Sequence, residues 1–369
     1  MTTEKEIEQL NQTILEKDRR IVHLQTEIAE LNRQLNTIVG SNGWKWLQRA
    51  WRLKTAFSPR RQQDSATVAA ASSPETQAVS SNDQPIRQIS SLNELSEEEW
   101  LQVLLGSVRD SRFQNFELPG FPPTEIQESF VGESAETALR SIFPFYQQIK
   151  KYSAEFGREL TPQSRVLDFG CGWGRIARLF MRDVKSENIY GVDVLESAVK
   201  LCHESKLPGQ FSVIPNFPPL EFPANSFDVI YAFSVFSHLP ETLALQWVQE
   251  FSRLLRPGGL IVVTTQRRSF IEYCASFRTH KASLNLHQQL LANSFLETEQ
   301  CLAAYDRGEF LYAANGGGDN PELAGSVYGD SVIPRGYVER EWAKYLTLRD
   351  FVDDPSVLPQ ALIVMQKSL

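Results

Sequence analysis

The chain has 369 residues, 37 Lys and Arg against 45 Asp and Glu, a formal charge of −8 and 42% hydrophobic residues. Its length suggests about two or three folded units, and its hydrophobic share is enough for a sizeable core. An acidic balance argues against a dedicated nucleic-acid binder, whose affinity depends on neutralising phosphates. The four cysteines (Cys171, Cys202, Cys274 and Cys301) are widely spaced with no C-x-x-C, which indicates neither a zinc cluster nor a disulfide framework and fits a reduced, cytoplasmic setting. The charged N-terminus does not read as a signal peptide, and no apolar run reaches the roughly 18 residues of a membrane span.

Residues 1–39 are periodic. With Ile7, Ile14, Ile21, Ile28 and Leu35 at heptad position a, position d falls on Leu10, Lys17, Leu24, Leu31 and Ile38, and nine of the ten are apolar. The narrow a/d seam predicts a coiled coil, and Ile at a with Leu at d favours a parallel dimer. A single amphipathic helix lying on the protein's own core is the alternative. Residues 40–57 follow, with Trp44, Trp46 and Trp51 interleaved among Lys45, Arg49, Arg52 and Lys54. Such a segment suits an anionic membrane surface at the inner face, or a junction helix whose tryptophans pack on the body of the protein. From 58 to 91 the chain is rich in Ser, Ala, Gln and Pro and reads as a flexible tether.

One folded body is left, over 92–369. It opens with a helical extension: Ser96 as N-cap, Glu97, Glu98 and Glu99 in the first turn, then Trp100, Leu101, Leu104 and Leu105 at helical spacing. A second helical stretch carries Phe143, Phe145, Tyr146, Ile149 and Tyr152. From Val166 apolar strands alternate with helices, at 166–169, 189–193, 211–214, 227–233 and 260–265. That alternation predicts a doubly wound, Rossmann-like α/β fold with a mainly parallel sheet, and the runs at 345–351 and 360–365 pair as a C-terminal antiparallel edge hairpin. Ligands of such sheets sit at the carboxyl ends of the strands.

There the sequence turns from strand to helix through Gly170, Cys171, Gly172, Trp173 and Gly174. Residues without Cβ let the backbone turn sharply and let a ligand approach closely. Asp193, at the tip of the neighbouring strand, is placed to accept both hydrogen bonds of a ribose diol. A dinucleotide fingerprint would need glycine at position 175, where Arg175 stands.

Asp168 followed by glycines at 170, 172 and 174 resembles the first motif of the class I S-adenosylmethionine-dependent methyltransferases. Further blocks follow in that family's order: Gly191-Val192-Asp193, Asn216-Phe217, Asn225-Ser226-Phe227-Asp228 and Leu255-Arg256-Pro257-Gly258-Gly259. The segments 168–175, 234–239 and 328–335 resemble a subgroup often associated with bacterial surface-polysaccharide enzymes. The resemblance implies S-adenosylmethionine as cofactor, with Gly170, Gly172 and Gly174 facing its methionine part and Asp168 near the amino group. It further implies Asp193 on the ribose, Asn216 and Phe217 flanking the adenine, and Phe233 and Ser234 lining the reacting centre. Many relatives carry Asp where Asn216 stands. No His, Cys and Asp cluster has metal-ligand spacing.

His238, just past the fourth strand, is the candidate general base for an oxygen acceptor, or else a cap on the helix starting near Pro240. Residues 266–340 form an insertion that reads as a surface loop or as a lid, with Tyr328, Arg335 and Tyr337 as candidate substrate contacts. The implied activity is methyl transfer to a small molecule or to a hydroxyl of a glycan or glycan precursor. The competing readings are a non-catalytic scaffold, against which the complete glycine motif and Asp193 count, and an NAD-dependent dehydrogenase, against which Arg175 counts. Deleting residues 1–39 should lower the oligomer mass in light scattering without abolishing cofactor binding; an unchanged mass refutes the coiled coil.

Overall fold

The computed structural model describes residues 89–114, 116–279, 284–314 and 327–369. The expected coiled coil at 1–39, the Trp-rich segment at 40–57, the tether as far as residue 88 and the glycine-rich stretch 316–321 lie outside the described residues. A 3-10 turn over Ile89–Glu94 straddles the expected end of the tether at residue 91 and places Leu92 in the core.

Helix α1 (Glu97–Ser107) starts where the sequence indicates. Ser96 Oγ accepts from the Glu99 N–H at 3.2 Å, and the Glu99 carboxylate accepts from the Ser96 N–H at 2.8 Å. This capping box satisfies two N–H groups that the first turn leaves without helical partners. A small hairpin, β1 (Arg112–Phe113) with β2 (Phe116–Glu117), and the turn around Pro119–Gly120 lead into α2 (Thr124–Val131) and the long α3 (Ala135–Glu155).

The strands then alternate with helices: β3 (Val166–Phe169), α4 (Ala177–Phe180), β4 (Ile189–Asp193), α5 (Glu196–Glu204), β5 (Gln210–Val213), β6 (Phe227–Ala232), α6 (Glu241–Leu254) and β7 (Leu255–Thr265). The helix expected from Arg175 is only one turn long, because three left-handed glycines hold the preceding residues in turns. An inserted unit follows, with α7 (Ser269–Ser276), α8 (Leu286–Asn293), α9 (Thr298–Asp306) and the antiparallel pair β8 (Leu311–Ala313) and β9 (Asp330–Val332). The chain closes with α10 (Arg335–Arg340), β10 (Thr347–Val352) and β11 (Ala361–Gln366).

Seven strands form one sheet in the order β10-β11-β7-β6-β3-β4-β5. The pairs among β3 to β7 are parallel, and β11 runs antiparallel to both β7 and β10. The expected C-terminal antiparallel hairpin stands at one edge of the sheet, with β10 outermost. Only β10 is an edge, while β11 is an interior strand whose residues Ala361 to Met365 are fully buried. The order reverses between β3 and β6, the switch point at which such sheets bind ligands.

The period of two divides the core. Val166, Val229, Tyr231, Val262, Leu362 and Val364 pack on one face with Trp100, Tyr146 and Phe180. Leu167, Ile230, Ile261, Val263, Ile363 and Met365 pack on the other with Trp247, Phe251 and Trp342. Asp168 is on the first face, in register with Tyr231 and turned toward the N-terminal helices. The inserted unit has its own smaller core of Ile271, Cys274, Leu291, Phe295, Leu302 and Val332. It is therefore a packed subdomain rather than the loop that the sequence left open.

Two buried side chains are among those that bind the N-terminal helices to the sheet domain. Trp100 Nε1 donates to the Leu179 carbonyl at 2.9 Å. The Arg178 guanidinium, fully buried and with its pKa pushed down to about 9 by burial, donates to the carbonyls of Pro119 (3.3 Å) and Gly120 (2.8 Å) and stacks on Phe121. Replacing Trp100→Ala should cost about 3–5 kcal/mol in urea unfolding, through the cavity left in the core. A loss below 1 kcal/mol would show that the helical layer is not part of the cooperative unit.

Candidate functional site

The turn after β3 is set by three glycines with left-handed backbones: Gly170 (φ 77°), Gly172 (φ 51°) and Gly174 (φ 77°). Their surroundings differ. A Cβ on Gly170 would lie 2.4 Å from Val235 and one on Gly174 would lie 2.1 Å from Leu207. At Gly172 the nearest atom is on the Phe130 ring, 3.7 Å away. The first and last glycines thus serve close packing, and the middle one leaves room for a ligand to reach the backbone.

The turn is tied to β4. The N–H groups of Gly170 and Cys171 both donate to the Val192 carbonyl, at 2.8 and 3.0 Å. One Asp193 carboxylate oxygen accepts from the Gly172 N–H and the other from the Leu195 N–H, each at 2.9 Å. Burial raises the Asp193 pKa, and these backbone donors pull it back. Asp193 therefore holds the turn in place, a role beside the ribose contact expected of it. A carboxylate has about four lone-pair positions, so two backbone bonds leave capacity for a diol.

Asp168 sits beneath the turn. Burial, and then the negative charge of Asp193, push its pKa up to about 8, against weaker opposing effects from the Ala177 N–H and Arg175. Neither Asp168 Oδ2 nor the Tyr231 hydroxyl has a hydrogen-bond partner among the described residues. The two groups are register neighbours on β3 and β6, and the Tyr231 hydroxyl supports the Asp168 carboxylate without a well-formed hydrogen bond, which leaves that carboxyl able to take a better donor. Arg175 is buried beside it. Its guanidinium donates to the Ala138 carbonyl at 3.3 Å and lies 5.8 Å from the Phe233 ring centre. Burial pushes its pKa down to about 10, while the charges of Glu133 and Asp168 support the cation. The sequence singled out Arg175 only for not being glycine; its place one residue past the motif was the available signal.

At the end of β6, Phe233 packs edge-on against Phe145 with ring centres 5.0 Å apart. Ser234 adopts φ 59°, a backbone state costly for a residue with a Cβ and frequent at functional sites. It is held there by its N–H donating to Thr264 Oγ1 (2.8 Å) and by Gln360 Nε2 donating to its hydroxyl (3.1 Å). Thr264 and Gln360, joined by a 2.6 Å bond, were not foreseen. Gln360 precedes β11, and only the insertion of that strand beside β7 brings it here. Asn216 is half-buried between β5 and β6, and Phe217 is 54% exposed, lining a shallow depression against α6 with Pro218, Pro219 and Gln246.

His238 does not cap α6, whose N-cap Pro240 has no side-chain bond. Its Nδ1 lies 2.8 Å from the Gly329 carbonyl, and its ring stacks on Tyr328 with centres 4.5 Å apart and planes 10° apart. Burial pushes its pKa down to about 4, so the ring is neutral at pH 7. Of the three candidate substrate contacts, only Tyr328 stands at this position. Arg335 is exposed and pairs with Glu339 at 2.7 Å. Tyr337 is 2% exposed in the core, packed on Phe310. The structure does not bring these two together with Tyr328 and His238: Arg335 makes a helical surface ion pair and Tyr337 joins the core. Among the described residues no cluster of His, Cys, Asp or Glu could hold a metal ion.

Residues 166–259 match the family model of a methyltransferase domain. Over 107 residues the chain is 33% identical to a 2-methyl-6-phytyl-1,4-hydroquinone methyltransferase of Synechocystis, covering 28% of this chain and 32% of that protein. Over 127 residues it is 30% identical to a sterol 24-C-methyltransferase of Aspergillus fumigatus, covering 32% and 33%. A magnesium protoporphyrin IX methyltransferase of Synechocystis, solved with bound S-adenosylhomocysteine, aligns over 66% of this chain and 94% of that one at 10% identity and a TM-score of 0.42. The chain thus spans about a third of the length of the curated relatives it matches. The matched stretch, residues 166–259, is similar to a methyltransferase domain and holds the glycine turn, Asp168 and Asp193.

The glycines separate packing from binding. Gly172→Ala should cost only the ~1–2 kcal/mol of a left-handed alanine, yet weaken S-adenosylhomocysteine more than tenfold by calorimetry. Gly174→Ala should lower thermal stability further, because its Cβ meets Leu207. Equal binding by Gly172→Ala and the native protein would place the ligand elsewhere.

Proposed function

We propose that this protein transfers a methyl group from S-adenosylmethionine to a hydroxyl oxygen, with His238 accepting the hydroxyl proton. The observation that carries this reading is the buried pair Asp168 and Arg175 beneath a glycine turn whose middle residue, Gly172, is the least crowded of the three. A cofactor with an ammonium, a carboxylate and a ribose diol fits the groups present. Asp168 would take the ammonium, Arg175 the carboxylate and Asp193 the diol, while Phe233 and the strained Ser234 would flank the reacting end. When bound, the cofactor supplies an electrophilic methyl on a sulfonium whose leaving group is a neutral thioether. The chain's residues then orient the acceptor and exclude water. With Nδ1–H donating to the Gly329 carbonyl, His238 keeps Nε2 unprotonated, the state a general base needs.

A hydroxyl of a glycan or glycan precursor is our acceptor. It rests on the motif resemblance of segments 168–175, 234–239 and 328–335, and the relatives' names speak of a hydroquinone and a sterol instead. A parallel dimer through 1–39 and contact of 44–57 with an anionic membrane face belong to the same proposal, on sequence alone. Among the described residues no helix is long and apolar enough to cross a membrane.

Calorimetry tests the cofactor reading. Ligand-free Asp168 holds its proton up to about pH 8, and a ligand ammonium favours the carboxylate, so a proton must leave on binding. Affinity for S-adenosylhomocysteine should therefore climb as pH rises from 6 to 8, and Asp168→Asn should abolish that slope. Asp193→Ala should weaken binding tenfold or more. Native affinity in Asp193→Ala would overturn the assignment.

A further inference from the structure

The insertion between β7 and α10 leaves the sheet at Gln266 and returns along β9, and the return is bonded to the loop that carries His238. The Gly329 N–H donates to the His238 carbonyl at 2.9 Å, and the Ser331 N–H donates to the Ser237 carbonyl at 2.7 Å. The Ser331 hydroxyl donates to the Leu239 carbonyl at 2.5 Å. On the other side, the Ile333 N–H donates to Thr265 Oγ1, and Gln266 bridges Val332. The return strand is thus clamped between the end of β7 and the loop after β6, the two segments that also hold Ser234.

This clamp surrounds His238. One ring nitrogen faces the Gly329 carbonyl, and one ring face lies on Tyr328. Asp330 Oδ1 is 3.7 Å from the same nitrogen, beyond hydrogen-bond range, so the carbonyl is the acceptor. A carbonyl accepts but cannot donate, so it selects the imidazole form with a proton on Nδ1. The stacked phenol ring prevents the imidazole from turning away from that carbonyl. Other titratable groups near this centre are His287 on α8, whose charge opposes protonation of His238, and Tyr312 and Cys274, which respond to the Asp330 charge.

We infer that the insertion's return strand is part of the active site, with Tyr328 and Gly329 as positioning residues that hold His238 with Nδ1–H donated to the protein and Nε2 open to the acceptor hydroxyl. The inference rests on the proposed role of His238 and assigns the insertion a function in chemistry rather than in covering the site. In the transfer the acceptor O–H bond breaks and its proton goes to Nε2, as the oxygen bonds the methyl carbon and the carbon–sulfur bond breaks toward sulfur. The proton then leaves the imidazolium for water.

The tautomer can be read without knowing the acceptor. The full chain would be labelled with ¹⁵N-histidine and studied by long-range proton–nitrogen NMR, free and saturated with S-adenosylhomocysteine. The His238 signals are identified by their loss in His238→Gln. A protonated Nδ1 and an unprotonated Nε2, unchanged from about pH 5.5 to 8, are expected. Tyr328→Leu should give a mixture of tautomers and a titration nearer the ordinary histidine value of about 6.5, and Tyr328→Phe should restore the native spectrum. Thermal melting and S-adenosylhomocysteine affinity in each variant separate a lost fold from a released ring. A protonated Nε2 in the native protein overturns the inference whatever the variants do, as does a native spectrum in folded Tyr328→Leu. Failure of the native protein to bind S-adenosylhomocysteine would instead sink the methyltransferase reading, and the ligand-free spectrum would still decide this one.

Discussion

A carboxylate at the tip of one strand holding the backbone of its neighbour's turn is the constraint on which this structure depends. Asp193 grips the Gly172 N–H, and the Val192 carbonyl takes the two N–H groups before it. Charge-assisted bonds to backbone donors are stronger than neutral ones and fix direction as well as distance. Without them a turn with three left-handed residues would have many states of similar energy. With them, the least crowded of the three glycines, Gly172, is held at the carboxyl edge of the sheet at its switch point.

The neighbourhood of that turn is electrostatically unfinished. Asp168 and Asp193 are both buried, and the Asp193 charge raises the cost of ionising Asp168. Arg175 answers only part of that charge. A buried carboxyl pushed toward neutrality by its surroundings is the kind of group found at functional sites. The N-terminal helices pack on the same face of the sheet as Asp168, held there by contacts that include those of Trp100 and Arg178.

On the far side of the switch point the polar groups come from distant parts of the chain. Ser234 is held by Thr264 from β7 and by Gln360 from the start of β11, and His238 is held by the return of the insertion. The antiparallel strand between β7 and β10 and the packed inserted unit both deliver side chains to one edge. One end of the sheet thus gathers a buried carboxyl, a neutral imidazole and a hydroxyl network.

Local chemistry was legible in the amino-acid order. The Ser96 and Glu99 capping pair, the period-two strands, the glycine spacing after Asp168 and the acidic tip at Asp193 each involve residues close in sequence or a pattern repeated along it. Those features determined the α/β class and pointed to the turn after β3 as the candidate site. Tertiary structure alone decided which glycine is least crowded, because Val235 and Leu207 reach the other two only in the folded sheet. It likewise moved Tyr337 into the core, put Arg335 on a surface ion pair, made β11 an interior strand and gave His238 a partner 91 residues away. Helix and strand patterns are short-range properties of the backbone, whereas the partner of a buried polar group is whatever close packing brings within 3 Å of it.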